Sequence, residues 1–311
     1  MTGPDQAVPG PPRDLVGYGR RPPKVVWPDG ANVAVTFAVN YEEGSEHYEY
    51  AGDAATDPLG EFAYALDRSY RDFQIESVYE YGSRAGIWRI LNLFDEYQVK
   101  VTMFACGMAL ERNPDVGKAI QKAGHEPCSH GYRWSEPWLF TEEEERREIA
   151  LAIDAIRRTC GERPVGWYWR YSRSLLSREL LAEAGGFIYD ADDYNDDLPY
   201  FVEVKGKDRL VVPYTVTYND FRFVVADGCI ADPAAFADFL KRGLDELWRE
   251  GAAGYPKMMS IGLHPRLIGQ AGRASAIREL IEHGLAKGDV WFARRADIAR
   301  WWLDHHHEFE R

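Results

Sequence analysis

Short apolar runs that end in polar or ring-bearing residues recur along this chain, and a segment of helical periodicity follows nearly every one. ANVAVTFAVNYEEG (31–44) runs apolar, as a buried strand does. RAGIWRILNLFDEYQ (84–98) then places Ile87, Ile90, Leu91 and Phe94 on one helical stripe. VKVTMFACG (99–107) reads as a second strand, NPDVGKAIQKAG (113–124) as a helix stopped by Gly124, and HEPCSH (125–130) as a short third strand. TEEEERREIALAIDAIRRTCG (141–161) opens on a capping box, Thr141 with Glu144, and carries acidic residues in its first turn, where the helix dipole favours them. PVGWYW, SRELLAEAGG, FIYDAD, RLVVPYTV, DPAAFADFLKRGLDELWREG, KMMSIGLHP, SAIRELIEHGL, DVWFARR and ADIARWWL carry the pattern on to residue 303. Such alternation predicts an α/β fold, and a barrel gathers functional residues at the C-terminal ends of its strands. Those ends are Asn40–Glu43, Gly107, Ser129–His130, Tyr168–Arg170, Asp190–Asp192, Tyr214 and His264.

The chain has 311 residues, of which 45% are hydrophobic, enough for one substantial core. Residues 1–30 are rich in Pro and Gly and read as an extended arm on the surface or on a neighbouring subunit. Residues 31–304 form a single barrel domain, without internal repeat or interdomain linker. Residues 305–311 form a polar tail, whose HHH is an exposed helix end or, alternatively, a local metal site. A net charge of −13 argues against nucleic acid and anionic membrane as partners. No run approaches the ~20 apolar residues of a spanning helix. The N-terminus lacks an apolar signal core, and Cys106, Cys128, Cys160 and Cys229 form no C-x-x-C pair. A cytoplasmic protein with reduced core thiols is expected.

Four segments carry a resemblance: NYEEG (40–44), YEYGSRAGIWR (79–89), GHEPCSHGYRW (124–134) and IGLHPRLIGQAGRASAI (261–277). Together they resemble the polysaccharide deacetylase superfamily, and most of all its branch of allantoinases that work without a metal. The resemblance implies a deformed (β/α) barrel of the polysaccharide deacetylase type, hydrolysis of a C–N bond in a cyclic ureide, and a homotetramer. Metal-dependent members use an Asp on the first strand and an H-x-x-x-H pair after a later one. Here those positions fall on Asn40 and Glu42, and on His130 and Trp134. A zinc hydrolase needs three protein ligands and an open position for water. Trp134 has no lone pair to give, and Asn40 cannot act as a general base. No metal cofactor is expected; the alternative is zinc held by Glu42, Glu43 and His130.

His264 is the leading proton-transfer candidate, because a strand-end imidazole titrates near neutral pH and the resembling families keep a His there. Glu42 and Glu43 are adjacent, so on a strand they face opposite sides and one of them enters the site. That carboxylate can orient water or accept a ureide N–H. His130 is placed beside it to polarise a carbonyl or orient water. The catalytic set is therefore His264, His130 and Glu42. The substrate-binding set is Asn40, Glu43, Glu80, Arg84, Trp134, Tyr168, Trp169, Arg170 and Asp190. Arg84 and Arg170 are candidate oxyanion donors, although Arg84 can instead pair with Glu80. Arg266 and Arg273 flank His264 and can serve its loop or a subunit contact. One loop departs from the allantoinase pattern: GWYWRYSRSLLS stands where a short Thr-Gly-Arg loop and a Pro-Asn turn are usual. The reaction expected is opening of a cyclic amide or ureide, a small-molecule substrate, by acid–base catalysis. The alternatives are a metal-dependent deacetylase or cyclic imide hydrolase, and a non-catalytic binding protein on the same fold.

Overall fold

The computed structural model describes residues 10–57, 66, 70–225 and 227–310. Its elements are, in chain order, β1 (Val33–Tyr41), α1 (Phe73–Tyr81), α2 (Ile87–Glu96), β2 (Thr102–Ala105), α3 (Gly107–Arg112), α4 (Pro114–Ala123), β3 (Glu126–Ser129), α5 (Glu142–Cys160) and β4 (Gly166–Trp167). There follow α6 (Ser177–Ala184), β5 (Tyr189–Asp190), β6 (Tyr200–Val204), β7 (Lys207–Val211), α7 (Pro233–Ala252), β8 (Lys257–Leu263), α8 (Ala271–Lys287), β9 (Val290–Phe292) and α9 (Arg295–His305).

The sheet runs β6-β7-β5-β4-β3-β2-β1-β8 and is parallel except for the β6–β7 hairpin. It curls into an incompletely closed barrel, the α/β architecture that the alternation predicts. All nine residues of β1 are buried. Its odd positions Val33, Val35, Phe37, Val39 and Tyr41 pack into the larger apolar cluster with residues of α2, α7 and α8. Its even positions Ala34 and Ala38 belong to the cluster inside the barrel. This period of two puts Asn40 and Glu42 on the inward face and Glu43 on the other. One edge of β1 pairs with β8, from Val33↔Lys257 to Val39↔Leu263. The other edge is shared by β9 at Val33–Val35 and β2 at Ala38–Tyr41. On the far edge of β8 a single bridge, Asn219↔Gly262, brings in the segment after β7. That segment therefore carries Tyr214, Asn219 and Asp220 up to the end of β8.

Several sequence expectations are corrected. The predicted strand RLVVPYTV ends at Val211 and pairs with an unforeseen partner, β6, as a hairpin turning through Lys205 and Gly206, both at positive φ. The helix expected from Arg84 begins a full element earlier. Asp72 caps α1 by accepting from the backbone N–H groups of Gln74 and Ile75, and a π-helical turn over Gly82–Gly86 joins it to α2. The last residues of the arm are anchored on the barrel. Trp27 is buried against Trp291 and Trp302, and its Nε1 donates to Lys257 O at 3.0 Å. The part of the arm before residue 10 lies outside the described residues. The tail is likewise docked: Lys24 pairs with Glu310, Phe309 packs on Trp302, and His305 stacks on Trp301 at 3.9 Å. Cys106, Cys128 and Cys160 are buried thiols, whereas Cys229 is exposed. Among the described residues, no helix is long and apolar enough to cross a membrane.

Candidate active site

The strand ends surround a cavity of about 360 Å³. Asn40 is the last but one residue of β1 and Glu42 follows it, His130 follows β3, Tyr168 follows β4, and His264 and Arg266 follow β8; all six line it. A larger groove, about 1040 Å³, lies between arm residues 14–22 and residues 249–257, and it holds none of the candidate catalytic residues. The cavity floor is aromatic. Phe104, Tyr168 and Tyr214 contact one another with centroids 4.8–5.2 Å apart, and His130 stacks on Tyr168 at 4.9 Å.

Glu42 is the electrostatic centre. Its Oε1 is 3.1 Å from His130 Nε2 and 3.7 Å from His264 Nε2, and its Oε2 is 2.7 Å from Arg266 Nη1. The arginine contact is an ion pair rather than an aligned hydrogen bond. Burial raises the affinity of Glu42 for a proton, but Arg266, His264 and His130 outweigh it and hold the carboxyl at about 2. Glu42 is thus a permanent anion.

The two histidines are held differently. His264 Nδ1 lies 2.6 Å from Asp220 Oδ1, and Asp220 Oδ2 accepts from the backbone N–H groups of His264 (2.7 Å) and Ile268 (3.1 Å). A carboxylate only accepts, so Nδ1 carries a proton toward Asp220, and in the neutral ring the lone pair is then on Nε2. Among the described residues no hydrogen bond engages Nε2, and its nearest charged neighbour is Glu42, at 3.7 Å. His130 Nδ1 faces Tyr168 O at 3.0 Å, and its Nε2 faces Glu42. Both ring nitrogens of His130 thus face protein groups rather than the cavity's free space. His130 stands beside Glu42, as expected, and lines the cavity, with both nitrogens already in contact with protein atoms.

Other expected residues fall where sequence separation could not show. Trp134 lines the cavity, and the guanidinium of Arg170 lies over its ring at 3.8 Å and that of Arg266 at 5.3 Å. Arg170 also lines the cavity, but its two terminal nitrogens are already engaged and only its Nε lacks a hydrogen-bond partner among the described residues. Nη1 and Nη2 donate to Asp57, at 3.0 and 2.6 Å, and Nη1 also to Trp134 O, at 2.8 Å. Tyr171, beside it, occupies the left-handed region at φ +59°, so a non-glycine residue makes the bend of this unusual loop. Trp169 is fully buried and packs on Trp167 and Phe140, away from the cavity. Asp190 is engaged by Arg178 at 3.0 Å through both oxygens. Glu80 and Arg84 pair with each other at 3.6 Å on the solvent face of the helix. None of these last four reaches the cavity.

Glu43 does not line the cavity either. Its Oε1 accepts from Arg266 N at 3.2 Å and its Oε2 from Glu42 N at 3.1 Å. A Cβ at Gly82 would stand 2.4 Å from Oε1, so the glycine of YEYGSRAG makes room for this carboxyl. Burial, with the nearby charge of Glu42, pushes Glu43 up to about 7 against the pull of Arg266. Between its ordinary value and 7 the folded protein holds a proton that the unfolded chain has released, so stability falls as pH rises through that window. Glu43→Gln removes this dependence. In urea titrations, the wild-type advantage over Glu43→Gln shrinks from pH 5 to 7 by at most about 1.4 kcal/mol per pH unit and levels off above. A difference that stays flat with pH would contradict the assignment.

The proposed zinc set does not converge. Glu43 points away from His130, the Arg266 guanidinium occupies the free oxygen of Glu42, and Trp134 fills the place of a fourth donor. Among the described residues, no three His, Cys, Asp or Glu side chains are grouped to hold an ion.

The polysaccharide deacetylase domain profile matches residues 68–187. A Schizosaccharomyces pombe protein assigned as a polysaccharide deacetylase is 38% identical over 94% of this chain and 98% of its own. The chain belongs to the polysaccharide deacetylase family. Two solved structures are also similar, each with a TM-score of 0.89. One is a probable polysaccharide deacetylase from Pseudomonas aeruginosa PAO1, at 44% identity over 95% of this chain and 99% of that one. The other is the Puue allantoinase, at 45% identity over 95% and 98%.

Sequence reasoning missed three parts of this family member's site. Asp220, the partner of His264, opens a short 3-10 turn (Asp220–Phe223) whose sequence has no distinguishing pattern. Arg266 was weighed only as a loop or subunit contact. Tyr214 was noted as a strand end without a role. A usable signal for Arg266 existed: a buried His-Pro-Arg beside two inward or adjacent carboxylates needs its charge compensated.

Proposed function

We propose that this protein opens an amide C–N bond in a small cyclic amide or ureide, with allantoin as the leading example, and without a bound metal. The observation that carries the reading is the Arg266–Glu42 ion pair beside Nε2 of His264, all lining a small aromatic-floored cavity. About 360 Å³ lies at the small end of ligand pockets and suits one ring rather than a polymer. The likeness to the Puue allantoinase supports the ureide substrate.

His264 Nε2 takes a proton from water as the water oxygen attacks the ring carbonyl. Asp220 steadies the imidazolium that forms. The same Nε2–H is then given to the ring nitrogen as the C–N bond breaks, because an amide anion is a poor leaving group. Glu42, ionised throughout, accepts a hydrogen bond from the attacking water and balances the imidazolium charge. Arg266 supplies the fixed cation beside it, and His130 fixes the angle of the Glu42 carboxylate.

Purified protein is expected to contain no stoichiometric transition metal and to keep its activity in chelator. On a panel of allantoin, hydantoins, cyclic imides and N-acetyl sugars it is expected to open rings, with allantoin slower than in the allantoinase branch because Arg170 and Tyr171 reshape the rim. One metal per chain, lost together with activity on chelation, would replace this reading with a metal-dependent one. Activity confined to N-acetyl sugars would replace the substrate class.

A further inference from the structure

We infer that the Tyr214 hydroxyl is the hydrogen-bond donor for the carbonyl oxygen of the scissile amide. This rests on the amide-hydrolysing reading above and assigns a role that the reading leaves open, the stabilisation of the oxyanion. Tyr214 lines the cavity beside Asn40, Asn219 and His264. Two side-chain amides aim N–H groups at its oxygen: Asn40 Nδ2 at 2.8 Å and Asn219 Nδ2 at 3.3 Å. Neither amide can be turned round. Asn40 Nδ2 also donates to Leu263 O at 3.2 Å, and a flip would set two oxygens against each other. Asn219 Oδ1 accepts from Phe221 N at 2.9 Å, and a flip would oppose two N–H groups.

A phenol oxygen has one proton and two acceptor positions. Both acceptor positions are taken, and among the described residues no acceptor meets the proton. It is left for whatever occupies the cavity. Burial raises the Tyr214 pKa far above its ordinary value, so the hydroxyl keeps its proton, and with both acceptor positions filled that proton is what it offers a ligand. The packing is built around this group. A Cβ at Gly262 would lie 2.2 Å from the Tyr214 hydroxyl and 2.4 Å from Asn219 Nδ2, so the strand gives up a side chain there to admit the pair. The ring is clamped by Phe104 and Tyr168, at 5.2 and 4.8 Å. A donor fixed in advance, in a site of low polarity, stabilises a developing oxyanion without reorganising. In the reaction no proton leaves Tyr214: its hydrogen bond shortens as the carbonyl becomes an alkoxide and relaxes when the C–N bond breaks.

The test is steady-state kinetics of Tyr214→Phe and Asn219→Asp on the ring substrate that the wild type opens best, with circular dichroism confirming the fold. Tyr214→Phe is expected to lower kcat by roughly 10²–10³-fold with little change in KM. Asn219→Asp keeps the tyrosine but offers its proton a carboxylate, so kcat is expected to fall by a similar factor although the hydroxyl is still present. A tyrosine with a packing role alone would tolerate that second change. If either variant folds and keeps kcat within about threefold of wild type, less than any oxyanion-hole loss, the inference is overturned and the ring-opening reading stands. Should the wild type cleave only N-acetyl sugars, the same two variants are run on that substrate. An equal loss there keeps Tyr214 as the donor and discards the ring substrate; no loss discards both. A wild type that cleaves nothing on the panel overturns both.

Discussion

Replacing His264 by Asn lowers the rate constant by about 10²- to 10⁴-fold while the fold stays intact. Asn is close in size and can still hydrogen-bond Asp220, which His264 now engages through Nδ1 and its backbone N–H. What disappears is Nε2, the nitrogen left free to take and return a proton. Asp220→Asn acts on the same step from behind, because an amide no longer dictates which ring nitrogen carries the proton. His130→Asn differs in kind: with both ring nitrogens in contact with protein atoms, it affects the reaction through the placement of Glu42. Turnover by His264→Asn near the wild-type rate, measured on the true substrate, would make His264 a structural residue and void the mechanism.

The second large effect falls on stability as well as rate. Glu42→Gln leaves the guanidinium of Arg266 buried, with Glu43 Oε1 at 3.6 Å as its nearest remaining carboxylate. Breaking one side of a buried ion pair costs about 3–5 kcal/mol, because the surviving charge is neither solvated nor neutralised. Glu43 moderates this loss. Without the Glu42 charge beside it, it ionises more readily and partly replaces the missing anion. The expected result is a loss of about 3 kcal/mol in urea unfolding at neutral pH, at the lower end of that range. Much of it is recovered in Glu42→Gln with Arg266→Met, since that pair of changes removes both charges. A single-variant loss under about 1 kcal/mol would show that water reaches the guanidinium and that the pair is worth no more than a surface one.

Much of the frame was legible in the chain. The apolar run of β1 and its period of two placed Asn40 and Glu42 on one face and Glu43 on the other, and the structure keeps that phase beyond the end of the strand. The alternation of strands and helices led to the right fold class, and Thr141 and Gly124 cap helices as read. Short motifs around His130 and His264 pointed to the family. Errors gathered where a residue's role depends on what faces it across space. Glu80, Arg84, Trp169 and Asp190 stand in or beside the right segments and point elsewhere. The β6–β7 hairpin escaped because a strict alternation leaves no place for an antiparallel partner.

Periodicity and turn chemistry act between neighbours in sequence, so they decide which segments are strands, which helices, and which face of each is buried. The site's electrostatics act between neighbours in space. Asp220 lies 44 residues before His264, and Tyr214 lies 174 residues after Asn40, yet each pair is in hydrogen-bond contact. Whether His264 has a free nitrogen, whether Glu42 is an anion, and where the proton of Tyr214 points all depend on contacts that form only when the sheet curls. Coulomb and hydrogen-bond energies fall off with distance through the protein, not along the chain.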